Sequence, residues 1–235
     1  LIIYGESGIL LLENRFDTES QKRNLARVGQ DNDFKSLTGI LSVVVADLDH
    51  DGDLDFVAST KNGLSLWSNY ENWQFVDISG NSTMPPDNFK PVKMFAVDWN
   101  RDLDIDILLA DPQSSKVGYL ENLLHSRFRW QEFDADFEIA QTRAMAIADV
   151  DVNLSWDLIT IGKDGLTLTS TIDVAYGVMK ASRTTRISQT ANSGLQAWDY
   201  DNDGVEDLLT WGSQGLEVYR GGANGKFEKV EGIIV

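Results

Sequence analysis

The chain has 235 residues, 42% of them apolar, which is enough for one large β domain or two ordinary domains and is not the composition of a disordered chain. Its formal charge of −17 argues against nucleic acid and anionic membrane surfaces as partners, because phosphates are bound by clustered Lys and Arg. Cysteine is absent and the only histidines are His50 and His125, which leaves no disulfide framework or thiolate site and makes a zinc site or a His-based triad hard to build.

The opening segment "LIIYGESGILLLEN" reads as two short strands around a tight turn. It begins without a methionine or a signal-like stretch, the expectation for a chain processed or excised from something longer. From residue 40 the sequence becomes periodic. The apolar run "ILSVVVA" leads into "DLDHDGDLD" at Asp47–Asp55, then "FVAS", the turn "TKNG", the run "GLSLWSN" from Gly63 and an aromatic run "WQFVDI" around Phe75. Asn-Gly between apolar runs is a hairpin signal, since both residues take positive φ cheaply.

"GNSTMPPDNFKP" reads as a connection, and its Asn81-Ser-Thr83 is a glycosylation sequon if the host is a secretory eukaryote. A second unit runs through "VKMFAV", a loop at Asp98–Asp106, "ILLA", a longer turn "DPQSSK", "VGYLEN" and "FRWQEF" around Trp130, with His125 in the connection "NLLHSRF". The third is "RAMAIA", a loop at Asp149–Asp157, "LITI", "GKDG" and "GLTLTST", followed by Lys180, Arg183 and Arg186, read as a solvated strand edge. The fourth is "GLQAW", a loop at Asp199–Asp207, "LLTW", "GSQG", "GLEVYRG" and "KFEKV" around Phe227.

The loops start at residues 47, 98, 149 and 199, so the period is 51, 51 and 50 residues. Four short strands per unit of that size make one blade of a β-propeller, and the opening segment matches the second and third strands of a further unit. The reading is therefore an all-β chain forming a single β-propeller domain of four-stranded blades, with five repeats visible. The approximate blades are 1–38 (incomplete), 39–90, 91–141, 142–191 and 192–235; the alternative is an arc of a seven-bladed propeller. No apolar run approaches the length of a membrane span, so no membrane insertion is expected.

Carboxylates at alternate positions with a turn-forming residue in sixth place describe an oxygen cage for a hard divalent cation, and calcium suits a flexible loop better than magnesium. Side chains at positions one, three, five and nine are the candidate ligands. These are Asp47, Asp49, Asp51 and Asp55; Asp98, Asn100, Asp102 and Asp106; Asp149, Asp151, Asn153 and Asp157; and Asp199, Asp201, Asp203 and Asp207. The position-seven carbonyls of Asp53, Asp104, Ser155 and Val205 would add a further ligand each. Up to four calcium ions would take the formal charge from −17 to −9. An EF-hand is excluded, because the twelfth positions are Ala58, Leu109, Thr160 and Thr210 where that loop needs glutamate, and the flanks are β-rich. Gly52 and Gly204 at position six, against Leu103 and Leu154, together with the asparagines of loops two and three, predict tighter sites in loops one and four.

The pattern D-x-[DN]-x-D-[GL]-x-x-D between short strands at this period resembles the FG-GAP or VCBS repeats of integrin α-subunit propellers and secreted bacterial proteins; fungal propeller lectins carry similar repeats. Asn153 departs slightly from the pattern. The resemblance implies a propeller whose calcium ions brace the hairpin between the first two strands of a blade.

Four near-equivalent sites cannot all serve one reaction, so the expected function is a rigid module for a protein or glycan ligand, with structural calcium and no catalytic residues. The alternatives are a propeller-fold polysaccharide lyase or hydrolase, which would need a unique constellation, and a spacer domain of a larger secreted protein. Calcium loops of modest affinity suit an extracellular or periplasmic setting. Trp67, Trp156, Trp198 and Trp211 lie in or beside strand runs, where blade packing is the expected role and sugar stacking the alternative.

Overall fold

The computed structural model describes every residue except 30–32, 134–136, 138, 140, 176–177 and 233–235. It is built of five antiparallel sheets whose strand order follows the chain. β1 (Ile2–Gly5), β2 (Gly8–Asp17) and β3 (Lys22–Val28) make a three-stranded sheet, and the other four sheets have four strands each. These are β4 (Ile40–Ala46) to β7 (Gln74–Asp77), with β5 (Asp55–Thr60) and β6 (Gly63–Tyr70) between them; then β8 (Lys93–Val97), β9 (Asp106–Asp111), β10 (Lys116–Asn122) and β11 (Phe128–Glu132). The last two are β12 (Ala144–Ala148), β13 (Asp157–Gly162), β14 (Gly165–Ala175) and β15 (Val178–Ser188), then β16 (Gly194–Trp198), β17 (Asp207–Trp211), β18 (Glu217–Gly222) and β19 (Lys226–Lys229). Among the described residues the only helix is a pair of 3-10 turns, at Asp33–Ser36 and Ser79–Asn81, and none is long and apolar enough to cross a membrane.

The second strand of a unit is the most buried. Every residue of β5 and β9 is buried, as is β13 up to Gly162. Both faces are covered, which is why these stretches read as continuous apolar runs and do not alternate. The acidic loops always join residues that pair across the first two strands: Ala46 with Asp55, Val97 with Asp106, Ala148 with Asp157 and Trp198 with Asp207.

The tight turns differ from the sequence expectation in one respect. Thr60 pairs with Gly63 and Gly162 with Gly165, so the central residues are Lys61-Asn62 and Lys163-Asp164. Positive φ falls on Gly63 (140°) and Gly165 (88°), which open the next strand, and not on the residue before. At Gly165 a Cβ would come within 2.2 Å of the Ser188 carbonyl oxygen, so β15 could not close on β14 over any other residue. β15 contains Lys180, Arg183 and Arg186 and is a fourth strand of 11 residues that the charge pattern had shown only as a strand edge.

The chain divides into two compact units. One comprises Leu1–Asp98, Leu103–Asp111 and Gly118–Glu132, the other Trp99–Asp102, Pro112–Val117 and Phe133–Val235. Within the first unit, Leu48, Val57, Leu66, Phe89, Ile107, Leu109 and Phe128 form one core. A second core gathers Leu11, Phe34, Phe56, Ala58, Trp67 and Phe75. Within the second unit the core is Ala146, Val150, Ile159, Ile161, Leu166, Leu168 and Leu208 with Tyr219.

Phe34 comes from the connection after β3, not from a strand. Its ring is near-perpendicular to Phe56 (5.5 Å, 83°), Phe75 (5.5 Å, 84°) and Trp67 (6.0 Å, 88°), a T-shaped geometry in which the positive edge of one ring meets the negative face of the other. Replacing Phe34 by Ala removes all three contacts and leaves a cavity, so the urea midpoint should fall by the equivalent of about 3–5 kcal/mol. A change below about 1 kcal/mol would show that the connection carries no core.

Candidate metal centres in the acidic loops

The four loops share one backbone. Position four is left-handed in each, with φ 62° at His50, 63° at Arg101, 59° at Val152 and 59° at Asn202. Position six is also positive: 92° at Gly52, 79° at Leu103, 67° at Leu154 and 86° at Gly204. The position-six requirement was legible in the sequence, and the leucines meet it. The requirement at position four was not, because Arg101 and Val152 give no sign of it, although His50 and Asn202 are residues that tolerate this conformation. The reward for both turns is a hydrogen bond from the position-six N–H to the carboxylate of position one: Gly52 to Asp47 (3.1 Å), Leu103 to Asp98 (3.1 Å), Leu154 to Asp149 (2.9 Å) and Gly204 to Asp199 (3.0 Å).

Position nine has a second task that the spacing did not reveal. Asp55, Asp106 and Asp157 are fully buried and Asp207 nearly so. Each accepts a backbone N–H from the third strand: Asn69 (2.8 Å), Asn122 (2.8 Å), Thr171 (2.8 Å) and Gly221 (2.7 Å). In loops one, three and four the other oxygen accepts the position-two N–H, from Leu48 (2.7 Å), Val150 (3.1 Å) and Tyr200 (2.9 Å). One carboxylate thus pins the loop and the third strand to the start of the second. Burial raises the carboxyl of Asp55 to about 6, with the charges of Asp49 and Asp51 adding to it and the two amides opposing it. Burial likewise raises Asp157 to about 7, helped by the charges of Asp151 and Asp149.

Three loops bring carboxylate oxygens within 4.8 Å of one another: Asp47, Asp49 and Asp55; Asp149, Asp151 and Asp157; and Asp199, Asp201 and Asp203. In loop four Asp203 takes the place that position nine has in the other two. Position five folds back on the chain, accepting the N–H of position seven: Asp53 to Asp51 (2.8 Å), Ser155 to Asn153 (2.7 Å) and Val205 to Asp203 (3.0 Å). Loop two is not among the carboxylate clusters found in the described residues. There the Asn100 side-chain N–H donates to Asp102 (2.8 Å), an internal bond that an aspartate at that position would not make.

The donor sets fit a hard cation. One oxygen each of Asp47, Asp49, Asp151 and Asp201 is buried without any hydrogen-bond partner. A buried unpaired carboxylate oxygen is costly in a protein interior and costs nothing once it ligates a metal. Loop one has two such oxygens, loops three and four one each. Hard oxygens on a flexible turn are a calcium donor set.

Arginine and histidine side chains also reach the loops. His50 at position four of loop one lies 3.7 Å from Asp104. Arg101 lies 3.7 Å from Asp149 and 4.6 Å from the centre of the Trp156 ring. Arg220 on β18 contacts Asp201 (2.8 Å) and Asp203 (3.0 Å). The contacts of Arg220 were not legible in the sequence, because the loop spacing says nothing about what strand three presents.

Residues 47–109 match the family model of the FG-GAP-like repeat. Comparison with curated proteins finds no significant match. Among solved structures, a lectin from Agrocybe aegerita, described for its specific recognition of non-reducing terminal N-acetylglucosamine, superposes with a TM-score of 0.66 at 16% identity, over 97% of this chain and 61% of its own. The fold is a β-propeller. AofleA from Arthrobotrys oligospora is similar at a TM-score of 0.53 and 10% identity, over 96% of this chain and 66% of its own. A putative 6-phosphogluconolactonase from Bacteroides uniformis gives 0.55 and 12%, over 97% and 66%. The chain therefore spans 61% to 66% of the length of these structures.

Two measurements check this account of the loops. Val152 is β-branched and exposed at φ 59°, and Leu154 is exposed at φ 67°, so neither offsets its strained backbone by packing. Val152→Asn and Leu154→Gly should each raise stability by about 0.5–1 kcal/mol, whereas Gly204→Ala, which meets no neighbour, should lower it by about 1 kcal/mol. The second measurement concerns pH. Because Asp55 and Asp157 are raised in the folded state, their ionisation destabilises the calcium-free fold as pH climbs from about 4 to about 7. In chelator the melting temperature should rise on acidification from pH 8 to pH 5. In excess calcium the slope should reverse, since protons then compete with the ion. Parallel slopes would contradict the assignment.

Proposed function

We propose that this chain is a calcium-braced β-propeller acting as a rigid binding module for a glycan, with the metal in a structural role and an extracellular or periplasmic setting. The observation that carries the reading is the recurrence of buried, partnerless carboxylate oxygens in loops one, three and four. Equivalent sites on three separate sheets brace a scaffold, whereas a lyase or hydrolase concentrates its acids at one place.

A glycan is supported over a protein ligand by exposed aromatics beside loop four. Trp67 packs in the core at 4% exposure, as expected for a blade tryptophan, but Trp198 is 58% exposed and Tyr200 is 38% exposed. Trp211, at 45%, lies across Gly194, where a Cβ would clash with its ring. A cleft of about 390 Å³ adjoins the loop three cage at Asp151 and Asn153, and its other lining residues, Ser170, Ser182, Arg183 and Asn224, offer hydrogen-bonding groups of the kind that vicinal hydroxyls need. The lectin superposition points the same way.

The test has two arms. Calcium at about twentyfold above its Kd should stabilise the fold by about 2 kcal/mol per occupied loop, so exhaustive chelation should lower the melting temperature. The chelated and calcium-loaded protein should then be applied to a glycan array that includes N-acetylglucosamine-terminated chains. Retention of a glycan class in calcium, reduced by Trp198→Ala, supports the reading. An unchanged melting curve rejects structural calcium, and an empty array rejects the glycan.

A further inference from the structure

We propose that Arg220 is a built-in counter-cation of loop four, which holds that loop's carboxylates together without calcium and makes it a weaker calcium site than loop one. The inference rests on the calcium reading above and concerns how the chain's own residues divide the metal among otherwise similar loops.

The residue just before the third-strand amide that binds the position-nine carboxylate occupies the same place in each unit. It is Ser68 before Asn69, Glu121 before Asn122, Ser170 before Thr171 and Arg220 before Gly221. In loop one the hydroxyl of Ser68 donates to one oxygen of Asp49, the position-three carboxylate, at 3.0 Å. In loop four Arg220 contacts the corresponding carboxylate, Asp201, through Nε at 2.8 Å, and it adds Asp203 through a terminal nitrogen at 3.0 Å. A neutral donor in one unit is a full positive charge in the other.

The oxygens of loop four are consequently engaged. Both oxygens of Asp199 accept backbone N–H groups, from Asp203 and Gly204. Asp203 gives one oxygen to Val205 and the other to Arg220. Only Asp201 retains a buried oxygen without a partner, while loop one retains two, on Asp47 and Asp49. A guanidinium a few ångströms from the cage repels a divalent ion and relieves the mutual repulsion that the ion would otherwise relieve. Loop four therefore falls below the rank that Gly204 and four aspartates give it from sequence.

The experiment is a calcium titration of the full chain by calorimetry, with melting curves in chelator, on the parent protein, Arg220→Ser and Arg220→Lys. Asp199→Ala and Asp47→Ala identify the loop four and loop one sites. Arg220→Ser copies loop one; it should tighten the site removed by Asp199→Ala on the order of tenfold and lower the melting temperature in chelator. Arg220→Lys, which keeps the charge, should stay close to the parent in both. Ser68→Arg should weaken the loop one site, with circular dichroism confirming the fold. If Arg220→Ser leaves both affinity and chelated melting unchanged while Asp47→Ala still abolishes a site, the proposal fails and the calcium reading stands. If the parent takes up no calcium, both fail.

Discussion

Each acidic loop depends on one buried carboxylate. The position-nine aspartate opens the second strand, lies inside the protein and takes an amide of the third strand on one oxygen. In three loops its other oxygen takes an amide of the loop itself. A shorter side chain would not span the two, and a neutral amide would present a donor where two donors already point. Everything outward of that residue, including the left-handed turns and the convergence of positions one and three, is held against a point fixed in the core. In loops one and three the burial that fixes it also disfavours its ionisation, raising the carboxyls of Asp55 and Asp157. Scaffold and metal demand are thus two consequences of a single placement.

The same logic explains why the sequence disclosed some things and not others. The period, the four-strand units and the loop joining strands one and two were legible because they follow from spacing and from apolar runs, which the covered second strands require. Position six was legible because glycine has a conformational meaning. Position four was hidden by Arg101 and Val152, residue types that carry no signal for a left-handed backbone. Phe34 was hidden because a single aromatic in a connection has no period, although it is the hub of an edge-on cluster. The exposure of Trp198 and the partners of Arg220 depend on which way a strand faces at its end, where alternation ceases to constrain it.

Asn122 adds a polar tie to the apolar core that joins neighbouring sheets. Its amide donates to the carbonyls of Leu48 (2.8 Å) and Ile105 (3.2 Å), and its oxygen accepts the N–H of Leu124 (2.9 Å). The backbone of position two in loop one is thereby tied to the third strand of the next unit. The bond to Leu48 is buried and the other two are partly so, and losing the side chain would leave the Leu48 carbonyl without this donor inside the protein.

Position four completes the argument that the loops are not independent. Its left-handed backbone turns the side chain away from its own cage, and in two loops that side chain meets the carboxylates of the following one. His50 approaches Asp104, and Arg101 sits between Asp149 and the face of Trp156. Where position four is Val152 the side chain is uncharged and exposed, and the cation on loop four comes instead from β18, as Arg220. Acidic loops at this density require positive charge beyond any bound ion, because carboxylates of adjacent units also repel. Arg101 and Arg220 supply it from different directions, and His50 adds a polar contact to Asp104. The repeat fixes the cage, and the residues that vary between repeats set how much of its charge is already neutralised before a metal arrives.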